Sequence, residues 1–242
     1  GQKFPGLACI FLRGRSHLSP NFRLLSSENI LPAVPLDVLP SSLSFDFLGT
    51  RRTFSFPFSW NNSSWSRLWQ FHLHYFDWSR QWLDRALITG CWCDEAAHLP
   101  SLFDSWIELN PPGLGDGWHS YTLSIRIRNW IWLFCFCPSL ITPDRLNSLW
   151  LQLLWLEANP EICHGGNHWL ENLFTLSLGS LFFDGSVALA MHNRSIVLLR
   201  KELRAQILDD GGHEERSSTY HTLILDRLVE FSCVYSSFTN TR

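Results

Sequence analysis

Tyr220 and Asn167 are two side chains whose types could do chemistry, the first as a proton acceptor and the second as a hydrogen-bond donor. A phenol with a pKa near 10 becomes a usable proton acceptor when cationic neighbours stabilise its phenolate. Arg216 stands four residues before Tyr220, the spacing of one helical turn. The plainer alternative is a half-buried tyrosine whose hydroxyl bonds a backbone carbonyl. Asn167 follows Gly165-Gly166 at an expected helix start, so it is either an N-cap or a carboxamide that can hydrogen-bond a carboxylate without adding charge. His168 and Glu171 are three apart, share a helix face and can bond each other. His164 and His168 have the i, i+4 spacing of a metal pair, but Gly165 and Gly166 interrupt the helix between them and the zincin pattern is missing, so no metal is expected. His213 and His221 are either polar loop residues or hydrogen-bonding groups for a sugar. Arg126 and Arg128, set among apolar neighbours, are expected to pair with acids such as Glu171 or Asp226.

These residues gather at three loop-to-helix junctions: Gly117-Trp118-His119-Ser120-Tyr121, His164-Gly165-Gly166-Asn167-His168, and the run from Gly212 to His221. Glycine lets a ligand approach the backbone, and helix N-termini offer free N–H groups and a positive dipole end to an anion. Such junctions need helices to carry them. From Ser64 the apolar residues Trp65, Leu68, Trp69, Leu73, Phe76 and Leu83 fall near one helical face. Further helices are expected over 94–109, 120–137, 143–158 (capped by Thr142-Pro143), 167–183, 186–208 and 218–235, the last capped by Ser217 or Ser218. The 110–117 stretch is too rich in Pro and Gly for anything but a loop. Residues 1–60, broken by six prolines and a Ser-rich patch, read as an irregular N-terminal arm, and 61–242 as an all-α domain of stacked helical hairpins. In such a barrel alternate loops emerge at one end, so the three junctions can line one cleft.

Composition narrows the function classes. With 242 residues, 45% of them hydrophobic, the chain can bury a core, and a net charge of −3 gives no basic surface for nucleic acid or an anionic membrane. No apolar run reaches the roughly 18 residues of a membrane helix, and the first residues show no secretory h-region. Seven cysteines do not suggest a disulfide framework. Cys91-x-Cys93 and Cys135-x-Cys137 lack the usual zinc spacing and fit packing better. Thirteen Trp against one Met suit a carbohydrate cleft or an aromatic core equally well.

Taken together, four runs resemble the helical domain of heparinase II/III-like polysaccharide lyases over about residues 60–235. These are Phe71-His72-Leu73-His74-Tyr75-Phe76-Asp77-Trp78; Gly117 to Tyr121 with Ser124 to Trp130; Gly166-Asn167-His168-Trp169-Leu170-Glu171-Asn172; and Asp210 to His221. The resemblance implies an incomplete (α/α) toroid, followed in the family by a C-terminal β-sandwich, and cleavage of uronic-acid polysaccharide such as heparan sulfate by β-elimination. It implies Asn167 and Tyr220 as catalytic residues and His168, Glu171, Arg216, His213, His221, Trp118 and Tyr121 as substrate contacts, with no cofactor. Two departures stand out. Ser218 replaces the family's proline before Tyr220, and the β domain, which supplies a second proton-transfer histidine, has no counterpart among these residues. The expectation is therefore part of a longer enzyme, or a domain completed by a partner chain. The alternative is a non-catalytic acidic-glycan-binding or scaffold domain. A weaker third reading is a hydrolase using Glu214 and Glu215 or Asp209 and Asp210. The family often works in the periplasm, while the sequence itself leaves the compartment open.

Overall fold

The computed structural model of the chain describes residues 30–35, 42–162 and 166–239. Cys9, most of the N-terminal arm, Cys163 and His164 lie outside the described residues.

Within the described residues the chain is a stack of helices with one β-hairpin. The hairpin pairs β1 (Ser42–Phe47) with β2 (Thr50–Ser55) antiparallel, Ser42 opposite Ser55 and Phe47 opposite Thr50. Leu48 and Gly49 both take positive φ, 56° and 71°, as a two-residue turn matching strand twist requires. The strands fall inside the stretch read from sequence as irregular, and that reading is corrected here. Ser42-Leu43-Ser44-Phe45 alternates, burying Leu43 and Phe45. Phe45 packs 4.9 Å from the Trp78 ring, and the Trp69 indole N–H donates to the Thr50 carbonyl at 2.9 Å.

The helices follow in order: α1 (Arg67–Tyr75), α2 (Asp77–Thr89), α3 (Leu99–Leu109), α4 (Ser120–Phe136), α5 (Pro143–Ala158), α6 (Gly166–Phe182), α7 (Ser186–Gln206) and α8 (Ser218–Thr239). Thr142 caps α5 as its sequence predicts, its Oγ1 accepting from the Arg145 N–H. Two helices replace the single one expected from Ser64, because Phe76 adopts a left-handed conformation at φ 60°. Burial holds it there: Phe76 stacks 5.3 Å from Trp60 and 4.8 Å from Trp78. Asn129 secures the break from α4, donating to the Tyr75 carbonyl at 3.0 Å and to Asp77 Oδ1 at 2.7 Å. Residues Asp94–His98 form a separate 3₁₀ turn ahead of α3, whose Pro100 occupies the first turn, where no N–H is needed.

α4 and α6 are buried on nearly every side and form the spine against which α5, α7 and α8 pack. Where α6 approaches α5, a Cβ at Gly179 would meet Leu153 Cδ2 at 2.6 Å, so the small residue sets the helix separation. Most of the described tryptophans go into the core; Trp60, Trp69, Trp106 and Trp130 are among the largest fully buried side chains. Arg126 is also buried there. It stacks over Trp106 at 3.8 Å and donates to Gln152 Oε1 at 2.9 Å and to the His74 carbonyl at 3.1 Å, so neutral acceptors and a π face hold it rather than the expected carboxylate. Burial, then Arg126, lowers His74 to about 3, keeping its imidazole neutral, and its Nδ1 accepts from the Trp106 indole at 3.1 Å. No helix among the described residues is long and apolar enough to cross a membrane.

Candidate functional site

Three helix N-termini meet at one open cleft of about 940 Å³. α4 brings His119, Tyr121 and Thr122; α6 brings Asn167 and His168; α8 brings Ser218, Thr219 and Tyr220. Because these alternate along the chain with returning helices, their first turns point the same way, and their unpaired N–H groups favour an anion in the cleft. The opposite wall is α1, whose Leu68, Phe71, His72 and Tyr75 recur at helical spacing along one stripe. Phe71 and Tyr75 lie nearly parallel, 6.5 Å apart. No Trp lines the cleft, so the tryptophan-rich composition reflects the core.

Of the expected site residues, the structure brings together Asn167, His168, Tyr121 and Tyr220. Asn167 sits within the first turn of α6, which begins at Gly166, so it is not the N-cap. Gly166 holds φ 54°, and an added Cβ would meet Glu215 Oε1 at 3.1 Å. The glycine therefore permits both the turn into α6 and the close approach of the loop before α8. Tyr121 stacks on His168 at 4.3 Å between centroids.

Glu161 organises the histidines at the cleft's edge. Its carboxylate lies 3.4 Å from His119 Nε2 and 3.5 Å from His168 Nδ1. Its backbone N–H donates to Asn172 Oδ1 at 2.8 Å, and Asn172 Nδ2 donates to Ser124 Oγ at 2.9 Å, tying the residue to α4 and α6. The hydrogen bond to Glu161 raises the His168 pKa against the effect of burial, whereas burial outweighs Glu161 at His119 and lowers it. His72 is lowered by burial as well, against the opposing field of Asp77. Near neutral pH the cleft therefore holds neutral His72 and His119 beside a more readily protonated His168. Burial, reinforced by Glu171, pushes the Tyr121 phenol up to about 12, and burial with Tyr121 and nearby carboxylates raises Tyr75 further, so both phenols stay protonated. Sequence reading missed His72 and Tyr75 as cleft groups, and Glu161 as the carboxylate behind two of its histidines. The α1 stripe was legible as amphipathic, but its outward face gave no sign of which neighbour it would confront.

The remaining expected contacts stand elsewhere. Trp118 is buried between Trp106 and Trp155, donates its indole N–H to the Asn110 carbonyl at 2.9 Å and borders a different cleft of about 520 Å³ between α3 and α5. Glu171 is fully buried, paired with Arg128 Nη2 at 2.9 Å and Arg227 Nε at 2.7 Å. The expected pairing of Arg128 with Glu171 is thus present, while His168 faces Glu161. Arg216 and His221 are exposed and do not line the cleft. α8 starts at Ser218 and Arg216 takes φ 50°, so the helical spacing that would set the guanidinium against Tyr220 does not apply. His213 is only 2% exposed and holds a turn together. Neither Glu214 and Glu215 nor Asp209 and Asp210 line the cleft, and Asp210 Oδ1 accepts the Gly212 N–H at 2.8 Å within its own turn. The described cysteines are free thiols: Cys93, Cys135 and Cys137 are buried, Cys91 and Cys233 exposed. Among the described residues no group of three or more His, Cys, Asp or Glu side chains is placed to hold a metal ion.

Residues 47–238 match the model of the heparinase II/III N-terminus family. Among solved structures, a heparinase III with methylated lysines superposes with a TM-score of 0.63 at 17% identity, over 88% of this chain and 40% of that one. Heparan sulfate lyase HepC from Pedobacter heparinus gives a TM-score of 0.59 at 22% identity, over 82% of this chain and 32% of the other. A HepC mutant gives 0.59 at 17% identity, over 98% and 40%. At these identities the likeness establishes the fold, and the chain spans two fifths or less of each structure's length. No curated protein matches the sequence.

Proposed function

Since the chain belongs to the heparinase II/III N-terminus family, we propose that it is the helical domain of a polysaccharide lyase that opens a uronic-acid-containing glycan by β-elimination. The observation that carries this reading is the meeting of Asn167 and Tyr220, carried by different helices and 53 residues apart (220 − 167), on one cleft among three helix N-termini.

The reaction removes the C5 proton beside the sugar carboxylate and expels the O4 substituent, leaving a C4–C5 double bond. That proton is weakly acidic while the carboxylate keeps its full negative charge. Asn167 would donate its amide hydrogens to the carboxylate, and the first-turn N–H groups of α4, α6 and α8 supply a favourable field for the enolate-like charge. Tyr220 would take the C5 proton or return one to O4. His168, stacked on Tyr121 and beside Glu161, would meet a second acidic substituent when protonated. The α1 stripe would carry the apolar face of a sugar ring.

The experiment is turnover of heparan sulfate and other uronic-acid glycans by the protein containing this domain. Asn167→Ala is expected to cost about 10²–10³ in rate and Tyr220→Phe about 10²–10⁴. Turnover unchanged by both substitutions would sink the assignment. A second reading, acidic-glycan binding without cleavage, draws support from Arg216, whose exposed side chain stands outside α8. It predicts saturable binding and no unsaturated product.

A further inference from the structure

Asn167 and Tyr220 ride on helices whose first turns must keep a fixed separation, and one buried side chain touches the supports of both. Gln206, the last residue of α7, is 2% exposed. Its Nε2 donates to the Gly166 carbonyl at 3.3 Å, immediately before Asn167, and to Glu202 Oε2 at 3.4 Å. Its Oε1 lies 3.2 Å from His213 Nε2. The Glu215 N–H points at His213 Nδ1 at 3.3 Å, so Nδ1 is the accepting nitrogen and the ring proton sits on Nε2, facing Gln206 Oε1. That tautomer fixes the amide orientation, because the Gln206 oxygen must face His213 and its NH₂ group must face Gly166. The Glu214 N–H donates to the Gln206 carbonyl at 2.8 Å, and Ile207 bridges His213, closing the loop that leads into α8.

We propose that Gln206 and His213 are positioning residues, a buried bracket that sets Asn167 against Tyr220. Neither meets substrate. Gln206 ties the carbonyl before Asn167 to the imidazole that braces the turn before Tyr220, so its side-chain amide links the entries to the two helices. This rests on the lyase reading for its catalytic consequence, while the bracket itself is a property of the fold. A misplacement of about 1 Å between reacting groups costs on the order of a hundredfold in rate. Breaking the bracket should therefore lower kcat far more than it raises KM.

The test uses Gln206→Leu and His213→Phe, with Glu202→Ala as the control that keeps both bracket bonds. On an acidic glycan that the wild type cleaves, the expected result is a roughly 10- to 100-fold fall in kcat for each bracket variant. KM should stay within about threefold, and Glu202→Ala should stay near wild type. Wild-type kcat in Gln206→Leu would overturn the proposal. So would failure of both variants to fold, which would assign these bonds to folding alone. If the wild type cleaves nothing, the lyase reading falls, and the bracket is judged by NMR on asparagine-labelled protein. His213→Phe should then move the Asn167 side-chain amide resonances, and should no longer do so in protein already carrying Gln206→Leu. Resonances that stay in place on His213→Phe would overturn the bracket.

Discussion

Replacing Glu171 with glutamine should unfold this domain far more readily than its distance from the cleft suggests. The carboxylate is wholly buried between Arg128 and Arg227, which reach it at 2.9 and 2.7 Å from α4 and α8 while it sits on α6. Both cations also meet Glu230, at 2.9 and 3.3 Å, and the Trp132 indole donates to that same carboxylate. Burial alone would lower the Arg227 pKa; Glu171, then Glu230 and Asp226, raise it instead. Removing one partner of a buried pair costs about 3–5 kcal/mol, because the remaining charge has lost both water and its counter-ion. Glu230 still serves both arginines, which places the loss near the lower end, about 3 kcal/mol. In a domain of this size that lowers Tm by roughly 6–12 °C. Thermal unfolding followed by circular dichroism measures it, with Asp226→Asn as control. Asp226 meets Arg227 but is 68% exposed, and its loss should cost at most about 0.5 kcal/mol. Adding Arg227→Met to Glu171→Gln should recover part of the loss, since the stranded cation leaves with it. A Glu171→Gln protein melting within about 2 °C of wild type would refute the reasoning. Weakened glycan binding at unchanged Tm would return Glu171 to the substrate-contacting role that family resemblance suggests.

Two pH predictions follow from the same geometry. At Glu230 burial raises the carboxyl pKa, but Arg128, Trp132, Arg227 and Arg80 together hold it below its ordinary value. Its stabilising contribution is therefore complete above the usual carboxylate pKa of about 4.3 and is lost as pH falls through the lower folded value. Acid titration of stability should lose this component in Glu230→Gln, and an identical acid limb in both proteins would contradict it. At His168 the pKa is raised by the hydrogen bond to Glu161, so affinity for an acidic oligosaccharide should extend to higher pH than an ordinary imidazole would allow and decline as the ring deprotonates. Glu161→Gln should shift the decline to lower pH, and an affinity flat between about pH 5 and pH 9 would argue against His168 as the anion contact.

The parts of the fold legible in the sequence are those written in local chemistry. Thr142-Pro143 announces the start of α5, Asn159-Pro160 follows its end, and the prolines and glycines of 110–117 mark the loop ahead of α4. The helix break at Phe76 had no such mark. An aromatic residue in a left-handed conformation is stabilised by Trp60, Trp78 and Asn129, all of them tertiary neighbours. The hairpin was hidden for a related reason: its alternation is short and its turn residue Leu48 is not one that favours positive φ, so packing on Trp69 and Trp78 decides it. At the site, Asn167, His168, Tyr121 and Tyr220 were readable because each lies at a junction with its own glycine or polar signal. Glu161 was not, since a lone acid after Asn159-Pro160 acquires meaning only when His119 and His168 arrive from two helices. Glu171, His213 and Arg216 stand outside the cleft lining for reasons spacing cannot carry. The first is enclosed by arginines, the second by Gln206, and the third lies before the helix it was expected to share.

The central claim is that Asn167 and Tyr220 share one substrate and carry out an elimination on it. The most direct measurement is the ultraviolet absorbance of products formed from heparan sulfate and other uronic-acid glycans by the protein containing this domain, beside its Tyr220→Phe variant. The account predicts an absorbing C4–C5 unsaturated sugar from the wild type and a roughly 10²–10⁴-fold slower rise from the variant. Saturated products, or equal rates in the two proteins, would contradict it.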